Sequence, residues 1–402
     1  MSKRGRTRYV ASNVTVRLRS LLLVFRRAFV ASIVVLAASV SFAEVASANA
    51  AQKKALYAQQ LQEYQEARQR YEEVAEPYWR SIADKRRGRN EKRRNGEAID
   101  LQDYVLVQPP RYTGPPRPVD PFPEPAEPSA RRAIPVVADF LRHAHEQFHF
   151  VPTTPKSEIE YKRAYAQVAM KAGITSDQAI RIYSFEAGGN GKYDVQAGLE
   201  GSSPKARAIS TALGYNQLLT TNTVSIIAEK GEVFANALSH KAKADNDAAL
   251  AKKVIVLRKM LEFSRSVPRK WSEHEKIART PKGNAVHALN LDIQIGPLLQ
   301  TQKLLDSVVF AQRKGITARL SAAELEMMNL TGDGNGFDMI SLPTDMRSQI
   351  PTSNFFQRSG YERNPVVIRN NNVAALLAAT NAKMDRDVGL QGAKDMATAF
   401  NR

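Results

Sequence analysis

Beyond residue 130, apolar residues of this 402-residue chain recur at helical spacing almost throughout, and strict apolar–polar alternation is scarce. Side chains three and four positions apart share one helix face, so the pattern predicts a mainly α domain over residues 131–402. In "KSEIEYKRAYAQVAMKAG" the residues Ile159, Tyr161, Ala164, Val168 and Met170 mark such a face, and Gly173 stands where a helix stops. A second helix is predicted from Ser176, because Thr175 and Gln178 have the spacing of a capping box. Further helices are predicted over 224–243, 247–264, 284–314, 321–329 and 372–386. The best short alternating segment, "KYDVQAGL" at 192–199, predicts a small β element.

The N-terminal third has a different texture. A basic stretch closes on Arg26-Arg27, an apolar run covers 28–43, and small residues around Ala48 and Ala50 follow. That is the three-part layout of a secretory signal peptide, so residues 1–48 are read as one. The apolar run falls short of the ~20 residues that span a bilayer; an uncleaved anchor is the alternative. Either way the reading predicts export to a periplasm or cell envelope. With no cysteine in the chain, the exported protein cannot use disulfides and must stand on its core.

Residues 49–95 carry Tyr57, Tyr64, Tyr71 and Tyr78 at seven-residue intervals, with Leu61, Ala67 and Val74 between them. Such spacing puts large residues along one helix stripe. It suits an amphipathic helix laid on the main domain, or a short coiled coil that self-associates or engages an envelope partner through residues 53–78. Pro77 is expected to end or kink the helix. The run "KRRGRNEKRR" at 85–94 reads as solvated charge. Residues 96–130 are rich in proline, which disfavours regular hydrogen-bonded structure and predicts a linker or strap.

A formal net charge of +18 attracts polyanions without choosing among them. Eight of the 58 Lys and Arg residues precede residue 48 against the single acid Glu44, and export argues against nucleic acid as a partner. No Walker loop, dinucleotide fingerprint or nucleophile elbow is present, and no cofactor is expected.

The candidate chemistry begins in "AIRIYSFEAGGNGKYD", residues 179–194. Ala179, Ile182, Tyr183 and Glu186 share one face of the predicted helix, so the acid continues an apolar stripe at the helix end. Partial burial and the negative end of the helix dipole both favour the protonated carboxyl. A general acid that protonates a glycosidic oxygen needs that state. The glycines of "AGGNG" permit close approach of backbone and ligand. The plainer alternative is an exposed glutamate, or one capped by a neighbour's amide.

The next segment, "AISTALGYNQLLTTNTVSII" at 208–227, places Gly214-Tyr215-Asn216-Gln217 before a helix with Thr223 nearby. A glutamate ending a helix, a short β element and this turn together make residues 176–227 resemble the lysozyme-like lytic transglycosylases and goose-type lysozymes. Ala187 replaces the serine that commonly follows the family's glutamate, and the methionine of its Gly-Leu-Met-Gln turn is absent. The resemblance implies a lysozyme-like fold and cleavage of peptidoglycan glycan strands between N-acetylmuramic acid and N-acetylglucosamine. It makes Glu186 both acid and base and gives a 1,6-anhydro product. Tyr215 would stack on a sugar and Gln217 would hydrogen-bond to it, with Asn190, Tyr193 and Asp194 as further lining. A hydrolase would need water and usually a second carboxylate, for which Asp194 and Glu200 are the nearby candidates. Tyr361, in the aromatic and polar stretch 351–365, is a more distant candidate for the cleft.

Three other readings compete. "HEQFH" puts His145 and His149 on one helix face with Glu146 between them, the pattern of a zinc peptidase that still needs a third ligand. "TGDGNGFD" at 331–338 offers Asp333, Asn335 and Asp338 for calcium but lacks the closing glutamate, so it reads as a glycine turn. Finally, a lysozyme-like fold can serve as an envelope scaffold or peptidoglycan-binding protein without turnover.

Overall fold

The computed structural model describes residues 11–123, 133–199 and 207–401. Its first helix, α1 (Ala11–Asn95), runs through Pro77 without ending. The proline instead marks a division into two compact units: Met1–Pro77 with Pro110–Ser129, and Tyr78–Pro109 with Ala130–Arg402. The divisions at Pro77 and Pro110 differ from the expected boundaries at 48 and 95, and the one at Ser129–Ala130 falls beside the expected boundary at 130. Among the described residues no helix is long and apolar enough to cross a membrane.

In the first unit the proline-rich segment is a strap on the helix. Tyr112 meets the rings of Tyr64 and Tyr71 edge-on at 6.2 and 5.5 Å. The Arg68 guanidinium lies 5.3 Å from the centre of the Tyr112 ring and 4.9 Å from that of Tyr71, within cation–π range. A side chain at Gly114 would come within 2.8 Å of the Ala67 Cβ, so the strap approaches closely where its residue is smallest. The tyrosine stripe thus finds an apolar partner in the chain's own proline-rich segment.

In the second unit the tail of α1 corrects the expectation of a solvated charge run. Arg89 is fully buried, and its Nε donates to Asp338 Oδ2 at 2.9 Å. Arg86 Nη2 donates to the carbonyls of Asn354 and Phe356 at 3.0 and 2.9 Å. Arg86, Arg89 and Arg93 fall three and four apart on one face, and Arg93 also pairs with Asp338. Asp338, once a calcium candidate, is therefore committed to arginines and to the Tyr104 hydroxyl, which donates to it at 2.9 Å.

The rest of this unit is helical: α2 (Val137–Phe148), α3 (Glu158–Lys171), α4 (Ser176–Glu186), α5 (Thr220–Ala244) and α6 (Ala248–Ser264) come first. After them come α7 (Trp271–Ala278), α8 (Pro281–His287), α9 (Gly296–Arg313), α10 (Ala322–Thr331) and α11 (Asp333–Ile340). Short helices α12 (Thr344–Arg347), α13 (Arg358–Glu362) and α14 (Pro365–Arg369) lead to α15 (Val373–Asp387) and α16 (Gln391–Phe400). The expected helix over 284–314 is broken into α8, a short 3-10 turn and α9. Buried Asp292 causes the break: it accepts from the backbone N–H groups of Gln294 and Ile295 and from Lys253 Nζ at 2.6 Å. The expected β element reduces, among the described residues, to isolated bridges of Gln196 with Leu213 and Leu213 with Leu218.

Two apolar clusters organise these helices. One gathers residues of α3, α4, α10, α15 and α16, including Tyr183, Met327, Leu376 and Met396. The other gathers α2, α5, α6 and α8, including Phe140, Ile227, Leu257 and Val286. Helix α4 belongs to the first and α5 to the second, and the cleft described next takes residues from both.

Candidate active site

Helix α4 opens with the expected capping box: the Gln178 N–H donates to Thr175 Oγ1 and the Thr175 N–H to Gln178 Oε1. Ala179, Ile182 and Tyr183 are fully buried, which fixes the roll of the helix and brings Glu186, its last residue, to the cleft. Past Ala187 the chain turns at Gly188 and Gly189, both left-handed. A Cβ on Gly189 would lie 2.5 Å from the Asp387 carbonyl oxygen, so only glycine fits. Lys383 Nζ donates to the Phe185 carbonyl at 2.6 Å, placing a cation at the helix end where the backbone is electronegative.

The half-buried Glu186 carboxyl faces α10. Asn329 Nδ2 donates to its Oε1, and Glu326, one turn earlier on α10, lies close enough to influence its charge. Burial pushes Glu186 up to about 7, against the pull of Glu326, Lys303, Lys383 and Asn329. Glu326, only 1% exposed, is pushed well above the usual carboxyl range by burial and then by Glu186 itself. The pair therefore holds at least one proton near neutral pH.

Glu186 lines a cleft of about 750 Å³ together with Gln217, Asn222, Trp271, Lys303 and Asn329. Gln217 arrives there through the Gly214–Gln217 turn. Leu213 and Leu218 exchange both backbone hydrogen bonds at 3.0 Å, which closes the four residues into a tight loop just before α5. Gly214 is left-handed, and a Cβ there would strike Gln300 Nε2 at 2.5 Å. Gln300 is the clamp: its Oε1 accepts from the Asn216 N–H and its Nε2 donates to the Leu213 carbonyl. Gln217, itself at φ 43, donates from Nε2 to the carbonyls of Gly214 and Val195. Its amide is thereby held at the cleft wall. Thr223 is buried, bonded to His287 Nδ1 at 2.8 Å and to Asn290, so it anchors α5.

The other sequence candidates lie elsewhere. Tyr215 is fully buried, edge-on to Tyr161, Tyr165 and Tyr183, and its hydroxyl donates to Glu158. Its ring is core, not a sugar platform, because the tight loop turns it inward. Tyr193 stacks on Tyr161 at 5.0 Å. Asn190 and Asp194 line a separate pocket of about 610 Å³, and Asn190 Oδ1 accepts from the Gly392 N–H. Tyr361 is buried against Trp79 and Phe356. Of these residues Gln217 alone shares the Glu186 cleft. Glu200 lies outside the described residues.

His145 and His149 have exposed rings 6.3 Å apart, and no group of three metal-ligating side chains gathers among the described residues.

Sequence reasoning missed several lining groups. Trp271 stands at the cleft 52% exposed, and nothing in "RKWSEHEK" separates it from any surface tryptophan. Glu229, Asp306 and Asp333 add carboxyl groups to the lining, so the second acids lie far along the chain from Asp194. Glu326 carried a readable signal, as the single acid inside the apolar run "LEMM". Comparison with protein-family models, with curated proteins and with solved structures finds no match to this chain.

Proposed function

We propose that this chain is an exported enzyme that cleaves the glycan strands of peptidoglycan in the periplasm or cell envelope. On this reading it has a lysozyme-like fold, and Glu186 is its acid and base. One observation carries the reading: a helix-terminal carboxyl, pushed up to about 7 by burial so that it can both give and take a proton near neutral pH, sits at the wall of a cleft of about 750 Å³. Supporting it are the amide of Gln217, the amide of Asn329 and the exposed face of Trp271 in the same cleft. Amides pair with sugar hydroxyls, and an indole face suits the apolar face of a pyranose.

The proton on Glu186 passes to the glycosidic oxygen as the bond to the anomeric carbon breaks. The carboxylate then takes the proton of the sugar's 6-hydroxyl while that oxygen closes onto the anomeric carbon, giving a 1,6-anhydro end. A single titrating acid suffices for both steps. Water activated by Glu229, Asp306 or Asp333 would instead leave reducing ends. Digestion of purified peptidoglycan by the wild type and by Glu186→Gln, with products identified by mass spectrometry, tests the reading.

A further inference from the structure

Glu326 is the buried acid that this reaction leaves unused. It sits on α10 one turn before Asn329 and is absent from the cleft lining, so it meets Glu186 from behind the wall. Two neighbouring carboxylates, one of them buried, cannot both ionise cheaply. Their surroundings decide which one keeps the proton. Lys303 on α9 and the Asn329 amide favour charge on either carboxyl, whereas Lys383 on α15 favours it on Glu186 alone. The carboxyl groups of Glu229, Asp306 and Asp333 share its cleft from α5, α9 and α11. Glu326 Oε2 is buried, and no donor reaches it. An oxygen without a donor is poorly placed to carry charge but well placed to carry hydrogen, since as a hydroxyl it gains the neighbouring carboxylate as its partner.

We propose that Glu326 is a positioning residue for Glu186: held neutral behind the cleft wall, it donates a hydrogen bond to the Glu186 carboxylate. With Asn329 it stabilises the charge left when Glu186 gives its proton away. In that step the Glu186 O–H bond breaks, its electron pair stays on Glu186, and Glu326 keeps its own proton. When Glu186 is reprotonated by the 6-hydroxyl, the starting state returns. The role in turnover rests on the proposed catalytic reading of Glu186; the hydrogen bond does not.

Carbon-13 NMR titration of glutamate-labelled full-length protein tests the hydrogen bond directly, with the Glu186 signal assigned by its loss in Glu186→Gln. Glu326→Met removes the donor, and the Glu186 midpoint should rise by about one pH unit or more. Glu326→Gln offers an amide donor in the same shape and should hold the midpoint within about half a unit of the wild type. A fall in Glu326→Met would show that Glu326 carried the negative charge, and no change would show that the two groups are uncoupled. Equal shifts in both variants would mean that donation is not what matters. Each of these three results overturns the proposal. If peptidoglycan is cleaved, the alkaline limb of kcat/KM should follow the same order; if it is not, the titration still decides the hydrogen bond.

Discussion

Arg89 and Asp338, 249 residues apart in the chain, form a buried ion pair at 2.9 Å, with the arginine side chain 0% and the aspartate 5% exposed. The Arg89 guanidinium also lies 4.2 Å from the centre of the Tyr104 ring. The pair fastens the tail of α1 to α11 within one compact unit.

Removing Arg89 leaves Asp338 buried with less compensation, and breaking a buried pair from one side is the costly way to break it. Arg89→Met should lower unfolding free energy by about 3 kcal/mol, read from urea midpoints. Asp338→Asn added to it should recover part of that loss, since the carboxylate charge is gone, its amide oxygen still accepts from Tyr104, and Arg93, 22% exposed, reaches water.

Glu186 also predicts a pH dependence of stability. Its folded-state pKa of about 7 lies above the ordinary 4.5, so the unfolded chain releases this proton first as pH rises. The stability it contributes is complete below the ordinary value and is lost as pH climbs through the folded one. Glu186→Gln removes that loss. The variant should match the wild type near about pH 4 and exceed it by up to about 3 kcal/mol near about pH 8. Urea unfolding at the two pH values checks the sign; a variant less stable at the higher pH would contradict it.

Trp271 is a surface residue by exposure but part of the cleft by position. Trp271→Ala should raise KM for soluble glycan fragments about tenfold while kcat stays within about twofold, because it removes binding common to ground and transition states. The melting temperature should move little, since an exposed side chain contributes little to folding.

What could be read from the sequence was local. The Thr175–Gln178 box, the stripe Ala179, Ile182 and Tyr183, and the acid that follows depend on neighbours within a turn or two, and they stand as expected. The 284–314 break was missed because its cause, Asp292, is an apparently ordinary polar residue until Lys253 and Thr153 reach it from elsewhere. Charge in "KRRGRNEKRR" looked solvated for the same reason: the acid that buries Arg89 lies on another helix. Tyr215 shows the limit most plainly. A tight turn exposes its backbone but not every side chain on it, and Gln300 decides that Tyr215 goes inward while Gln217 faces the cleft. Residues that complete the site from α7, α9 and α10 carry no local signature, apart from the lone acid of "LEMM".

The central claim is that Glu186 performs the chemistry on peptidoglycan, and product analysis of purified sacculi tests it most directly. The wild type should release anhydro-muropeptides, and Glu186→Gln should release none while keeping its fold. Reducing-end products lost in the variant would keep Glu186 as the acid but replace the anhydro route with hydrolysis. Equal release by both proteins, or none from either, would contradict the account.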